Sequence, residues 1–547
     1  MNTQNAPAIS THSEDNIAQW FHRSACQQGS RPALFVDEKL YNYSELKNYA
    51  LQIASTIERL DPHPANPVAA VFAYRSLTAY GALLAILYAG KGYVPLNPTF
   101  PVARNLRMAD LAEVDLLILD SHCEPLAEDL LRAVQRNLLV LLPDHETAPP
   151  WTQTLSRHRF LLRDEIFSLP PTLQSPKQPQ TPIAYLLFTS GSTGVPKGVM
   201  VSPGNVNAFV SQMLERYQPT PEDRFSQHSD LTFDASVHDQ FVCWAAGACL
   251  YCIPQKSRMA PAQFIREHGL TFWESVPAVI HFMKRMYLLK PGFFPSLRWS
   301  IFGGEQLTME AVQWWQAAAP HSRIENSYGP TEGTICITGY VWQTGRSEAD
   351  CDRGVVPIGT PYAGQRAALL VHGQLHENVE NIKGELCLSG SQITPGYWKN
   401  AAETERCYLE LPEADGQRQR WYKTGDLAIW RAGVGFSYVD RLDRQLKIRG
   451  YRVELAEIEQ VLRQVAGTEQ VAVLGWPPGG GNVTSVVGFV CASSLADAEI
   501  LTECTKRLPY YMVPRQIRRL SQLPLNANGK TDLNQLLLHL SNDTVKN

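Results

Sequence analysis

Residues 186–200 set a run of hydroxyls and glycines between two apolar segments, an order of residue types that suits phosphate binding. The run reads Thr189-Ser190-Gly191-Ser192-Thr193-Gly194-Val195-Pro196-Lys197-Gly198. Glycines let backbone N–H groups close on phosphate oxygens, the hydroxyls add donors, and Lys197 adds positive charge. A Walker A loop is excluded, because its spacing would need glycine at Pro196 and a metal-binding hydroxyl at Gly198. A Ser/Gly-rich surface loop is the plain alternative. Ten consecutive loop-forming residues between two strand-like runs argue against it.

The stretch resembles the phosphate loop of the adenylate-forming enzymes, which include acyl-CoA synthetases, firefly luciferases and the amino acid adenylation domains of nonribosomal peptide synthetases. Further stretches match in family order from about Tyr41 to Asp532: 41–46, 88–98, Asn326-Ser327-Tyr328-Gly329-Pro330-Thr331-Glu332, Tyr422-Lys423-Thr424-Gly425-Asp426, the segment 440–450 and Asn528-Gly529-Lys530. Departures from the family pattern stand at Asn97, Pro395, Ala456 and Leu533, and none falls on a residue expected to do chemistry.

The resemblance implies a role for each motif. Thr189, Ser190, Gly191, Ser192, Thr193 and Gly194 would cradle the phosphates of ATP, with Gly304, Glu305, Ser327 and Gly329 beside them. Tyr328 offers a ring for adenine, Asn326 a polar edge for its amino group and Asp426 a carboxylate for both ribose hydroxyls, with Arg441 near the ribose and phosphate. Thr331 would meet the α-phosphate and Glu332 would hold Mg²⁺. Lys530 would swing in to bridge the α-phosphate and the substrate carboxylate, and Asp443 would be the hinge. Lys530, Lys197, Thr331 and Glu332 are therefore the expected catalytic set, and ATP and Mg²⁺ the expected cofactors.

Asp234, in Phe233-Asp234-Ala235-Ser236, reads in isolation as a helix N-cap. In the amino-acid-activating branch an Asp at this place pairs with the substrate α-ammonium, which implies an α-amino acid substrate. By position against the family, the side-chain pocket would be lined by Ala235, His238, Ser275, Ile301, Gly303, Ser327, Ile335 and Cys336. Gly303 leaves depth, and the polar members favour a long side chain with a polar or aromatic end.

The reaction implied is attack of the amino acid carboxylate on the α-phosphate of ATP, releasing pyrophosphate, and then transfer of the acyl group to the phosphopantetheine thiol of a carrier protein. The sequence has neither a Leu-Gly-Gly-x-Ser carrier site nor a His-His-x-x-x-Asp-Gly condensation motif, so a free-standing ligase serving a carrier in trans is expected. A small helper protein is a further partner the resemblance admits. An acyl- or aryl-CoA ligase of the same superfamily is the alternative, and a non-catalytic scaffold is disfavoured by the intact Lys197, Glu332, Asp426 and Lys530.

Positioning such groups needs a layered α/β frame. Residues 1 to about 170 alternate helical patterns with short apolar strands such as 68–72 and 116–119, which predicts a largely parallel sheet. The proline-rich segment 169–182 reads as an exposed connection between subdomains. The expected fold is α/β: a large N-terminal lobe of layered subdomains (1–442) and a small mobile C-terminal α+β lobe (443–547) that carries the lysine. In that lobe Leu455, Ile458, Val461, Leu462 and Val465 recur at helical spacing, and 471–476 and 484–491 read as strands.

At 547 residues, 44% hydrophobic and 19% charged, the chain has the composition of a soluble globular protein. A formal charge of −4 gives no reason to expect nucleic acid or an anionic membrane as partner. Eleven scattered cysteines suggest a reducing cytoplasm, and Cys249 and Cys252 read as buried strand thiols rather than a zinc or redox pair. The polar N-terminus shows no signal peptide pattern, and 77–87 is too short for a membrane span and reads as a core helix.

Overall fold

A computed structural model describes residues 15–168, 170–179, 182–191, 195–412, 418–477, 483–524 and 531–544, and every count below is of those residues. Three large sheets carry the N-terminal lobe. In the eight-stranded sheet the strands Gly92–Leu96, Val68–Phe72, Leu116–Leu119, Leu139–Leu142 and Arg159–Leu162 run parallel in that spatial order. Val68–Phe72 is Val-Ala-Ala-Val-Phe and buried at all five positions, as a strand covered on both faces must be. The helix Leu77–Tyr88 is apolar all round and lies in the core, opened by a Ser76 side chain that accepts from the Ala79 amide at 3.1 Å.

The expectation that the first 170 residues build one sheet is corrected at Pro32–Val36 and Lys39–Asn42. These strands leave for the nine-stranded sheet, where Pro32–Val36 pairs in parallel with Cys249–Cys252. The two cysteines are buried and unpaired there, as strand thiols.

Within the nine-stranded sheet Phe272–Ser275, Trp299–Phe302 and Arg323–Tyr328 are adjacent parallel strands. Their carboxyl ends therefore open on one side, the side on which α/β sheets take ligands. Tyr185–Thr189 and Lys197–Val201 form an antiparallel pair at the other sheet, with Thr189 opposite Lys197, so the hydroxyl-rich loop is the connection between them. A third, antiparallel sheet contributes the long strand Arg418–Arg431, which carries Asp426, and Gly435–Arg441, with Asp426 opposite Arg441.

The small lobe starts with a hairpin, Gln445–Ile448 and Tyr451–Glu454. Its two turn residues, Arg449 (φ +54°) and Gly450 (φ +82°), both sit in the left-handed region that two-residue hairpin turns favour. Helix Leu455–Ala466 follows and buries Leu455, Ile458, Leu462 and Val465, the predicted face. Val471–Trp476, Ser485–Cys491 and Ile517–Leu520 make a three-stranded sheet, and helix Leu533–Thr544 packs Leu536 and Leu540 on its other side. No helix among the described residues is long and apolar enough to cross a membrane.

Candidate active site

The hairpin turn of the small lobe closes onto the carboxyl ends of the three parallel strands. Gly450 N donates to Glu305 Oε1 at 2.7 Å, and Ala278 N donates to Glu305 Oε2 at 3.0 Å, so both oxygens of Glu305 are engaged by backbone amides. A Cβ on Gly450 would run into Val276 Cγ1. The lobes also meet at Arg104 and Glu457, whose side chains pair at 2.5 Å and are only 6% exposed.

Tyr328 separates two cavities. One is bordered by Thr189, Ser190, Asp234, Ala235, Gly303 and Gly304, together with Ile335 and Cys336. The other is bordered by Asn326, Val356, Ile358 and Asp443. Tyr328, Arg441 and Lys447 reach both. An aromatic ring between a polar-edged slot and a carboxylate-bearing cleft suits a nucleotide whose base lies on one side and whose phosphates lie on the other. The Asn326 amide donates to Val356 O (3.1 Å) and Pro357 O (2.9 Å), which fixes its orientation at the slot.

Asp426 lies between Tyr328 and Arg441: its Oδ2 accepts from the Tyr328 hydroxyl at 2.5 Å and its Oδ1 pairs with Arg441 Nη1 at 2.6 Å. Arg441 also grips both oxygens of Asp443, at 2.6 and 2.8 Å. The expected ribose carboxylate, its arginine and the expected hinge are thus one connected cluster.

Glu332 is fully buried. Burial alone would raise its carboxyl, yet the Arg452 guanidinium, at 3.0 Å from both oxygens, and the Tyr397 hydroxyl, at 2.6 Å, hold it below the usual carboxylate range. Its hard oxygens fit Mg²⁺, but in this lobe arrangement a guanidinium has taken them, and a metal would require Arg452 to withdraw. Arg452 and Tyr397 went unnoticed in the sequence. Tyr397 lies in a two-residue strand fragment, Gly396–Tyr397, and Arg452 is one of several charges on its hairpin, so neither carries a local signal.

Thr189 Oγ1 is buried without a hydrogen-bond partner, and Ser190 Oγ donates to Arg452 O at 2.7 Å. Gly191 is required, since a Cβ there would run into Val195 O. Lys197 is turned away from Tyr328: it pairs with Glu403, lies over the Tyr397 ring and borders a neighbouring cavity with Arg406 and Lys423. Ser192, Thr193, Gly194 and Lys530 lie outside the described residues. Lys447, which lies in the 440–450 stretch but received no role there, stands 5.8 Å over the Tyr328 ring, and burial pushes its ammonium down.

Asp234 stands at the N-cap position of the short helix Ala235–Val237, but its side chain makes no cap hydrogen bond there. Its carboxyl borders the cleft and takes a hydrogen bond from Thr331. Burial pushes it up to about 6 despite that bond, so the cleft holds a carboxylate in want of a cation. Of the expected pocket residues, Ala235, Gly303, Ser327, Ile335 and Cys336 border this cleft. Ile301 and His238 are buried behind its wall, each 1% exposed. Ser275 borders the cleft, but its hydroxyl accepts from Trp273 Nε1 at 2.9 Å, turned to the opposite face of the strand, and the side chain directed at His238 is Glu274. Strand alternation is the reason: one step along Phe272–Ser275 changes the face.

This fold and this cleft define an adenylate-forming enzyme, and the family comparison agrees. The chain belongs to the AMP-binding enzymes: the family model for AMP-binding enzymes matches residues 21–398, and that for their C-terminal domain matches 457–530. It is similar to the L-proline--[L-prolyl-carrier protein] ligase of Streptomyces coelicolor, 32% identical over 94% of each chain. It is 28% identical to tyrocidine synthase 2 of Brevibacillus parabrevis over 95% of this chain, and it spans only 13% of that much longer protein. Among solved structures, the Vibrio cholerae adenylation domain AlmE in complex with glycyl-adenosine-5'-phosphate superposes with a TM-score of 0.86 at 30% identity, covering 98% of this chain and all of that one (100%).

Proposed function

We propose that this protein activates an α-amino acid with ATP, forming an aminoacyl adenylate and pyrophosphate, and passes the aminoacyl group to the phosphopantetheine thiol of a carrier protein. The observation that carries the amino acid is Asp234, a buried carboxylate beside Thr331 and Gly303 whose raised protonation marks an unmet need for positive charge. Carrier transfer draws support from relatives named as carrier-protein ligases and from their extent, 94% of the length of one of them. A carrier supplied in trans is the reading we favour.

Catalysis in such a site is positioning and charge neutralisation, because the attacking carboxylate is already ionised. Asp234 orients the ammonium, Thr331 and the 189–194 loop meet the phosphates, and Asp426 with Arg441 seats the ribose. Mg²⁺, when bound at Glu332, supplies charge compensation for the phosphates. We assign Lys530 the approach to the α-phosphate and the segment 443–547 the movement about Asp443. The present arrangement, with Arg452 on Glu332 and the hairpin turn on Glu305, fits the step after adenylate formation, when metal and pyrophosphate have gone.

ATP–pyrophosphate exchange across the proteinogenic and common non-proteinogenic amino acids tests the proposal. Exchange with an amino acid, followed by its loading onto a phosphopantetheinylated carrier, is the expected result. Silence from every amino acid, with CoA-dependent AMP release from a simple carboxylic acid, would make the protein a CoA ligase instead.

A further inference from the structure

Behind the cleft lies a cluster of buried charged side chains. His238, Asp239 and Glu274 form a buried cluster, exposed by 1%, 1% and 8%, with one ligand atom of each lying within 4.8 Å of the others. His238 and Asp239 are sequence neighbours, and a π-helical turn, His238–Val242, widens the backbone where both face Glu274. His238 Nδ1 stands 2.7 Å from Glu274 Oε2 and 3.4 Å from Asp239 Oδ1. The contact with Glu274 is out of line for a hydrogen bond, so Glu274 Oε2 is a buried oxygen without an aligned donor. Glu274 alone of the three borders the cleft, between His238 and the space beside Asp234.

The cluster holds two carboxylates against one imidazolium. Burial alone would lower His238, but Glu274 and Asp239 hold it up to about 10, so its positive charge is permanent at neutral pH. Burial, with Glu274 adding to it, pushes the Asp239 carboxyl well above the usual range. Asp234 adds a third carboxylate, and the cations that border the same cleft are Arg104, Arg441, Lys447 and Arg452. The three arginines are committed, Arg104 to Glu457, Arg441 to Asp426 and Asp443, and Arg452 to Glu332, while Lys447 lies over the Tyr328 ring. An α-ammonium at Asp234 answers one carboxylate. Glu274, paired with His238 behind the wall, also borders the cleft, where a second cation would meet it.

We infer that this cleft selects amino acids with a cationic side chain, a second amine or a guanidinium, and that Glu274 is the residue that recognises it. The inference rests on the amino acid activation proposed above and deepens it. An uncharged side chain would leave the buried cluster with two carboxylates to one imidazolium, the kind of mismatch that separates substrates strongly.

Pyrophosphate exchange on the full chain decides it, with ornithine, lysine, 2,4-diaminobutyrate and arginine set against their uncharged counterparts norvaline, norleucine, 2-aminobutyrate and citrulline, and against glycine and proline. A cationic member should exceed its uncharged counterpart in kcat/KM by about 10²-fold or more. Glu274→Gln should collapse that ratio through KM. Should the variant fail to fold, the wild-type ratios alone decide. A wild-type preference for glycine, proline or any uncharged side chain would overturn the inference and leave amino acid activation standing. Exchange with no amino acid would fell the function itself. One divalent metal ion per purified chain, lost in Glu274→Gln, would also overturn the inference, by assigning the cluster to a metal.

Discussion

Asp234 shows how a single side chain ties burial to function. Its carboxyl has been lifted by burial to about 6, and only its ionised form pairs with an ammonium. Because the raised value belongs to the unliganded protein, the competent fraction is nearly complete above about pH 7 and falls about tenfold per unit well below 6. KM for the amino acid should accordingly rise as pH falls through 6, with kcat moving less; a KM that stays flat down to pH 5 would remove Asp234 from ammonium recognition. Lys530 makes a second expectation at this scale. Lys530→Ala should slow adenylation by about 10²-fold or more, the loss typical of one preorganised charge, while ATP binding persists. An unchanged single-turnover rate would show the lysine to be misplaced.

At the scale of elements, the hairpin Gln445–Ile448 and Tyr451–Glu454 governs what the cleft can hold. It presents Lys447 to Tyr328, Gly450 to Glu305 and Arg452 to Glu332 from one rigid two-stranded unit. Gly450→Ala would place a methyl against Val276 and force a left-handed backbone on a residue with a Cβ, a strain of about 1–2 kcal/mol before any clash. That alone lowers the population of this arrangement by about tenfold. Pyrophosphate exchange should survive the change while transfer to the carrier falls. Equal losses in both half-reactions would mean that the hairpin serves adenylation as well. Only its first strand is legible in the sequence, where Leu446 and Ile448 alternate. Which sheet end it would meet was not legible, because no local pattern encodes the docking of one lobe on another.

At the scale of the whole molecule, the two lobes are held together by few buried charges, and Arg104 with Glu457 is the most enclosed of those that cross between them. Burial still pushes the Glu457 carboxyl up in spite of Arg104, a sign that desolvation consumes much of the attraction. Removing one partner should nonetheless cost about 3 kcal/mol of docking, because the other charge is then buried alone. Arg104→Met should therefore release the small lobe, seen as faster tryptic cleavage at Arg441 or Arg444 in the native protein. Cleavage at the wild-type rate would show that the hairpin contacts alone hold the lobes.

The residue pattern by itself determined the strands 68–72, 116–119 and 471–476 and the amphipathic helix of the small lobe, because apolar periodicity is a local property, while the nucleotide motifs in their order were named through the family resemblance. The same resemblance named Asp234, which its neighbours alone would make a helix N-cap. Tertiary structure alone decided that Pro32–Val36 joins a distant sheet, that Tyr397 and Arg452 converge on Glu332, and that Glu274 rather than Ser275 is aimed at His238. Each of those depends on which face of a strand meets which neighbour, and a shift of one residue reverses the face while leaving the sequence pattern almost unchanged.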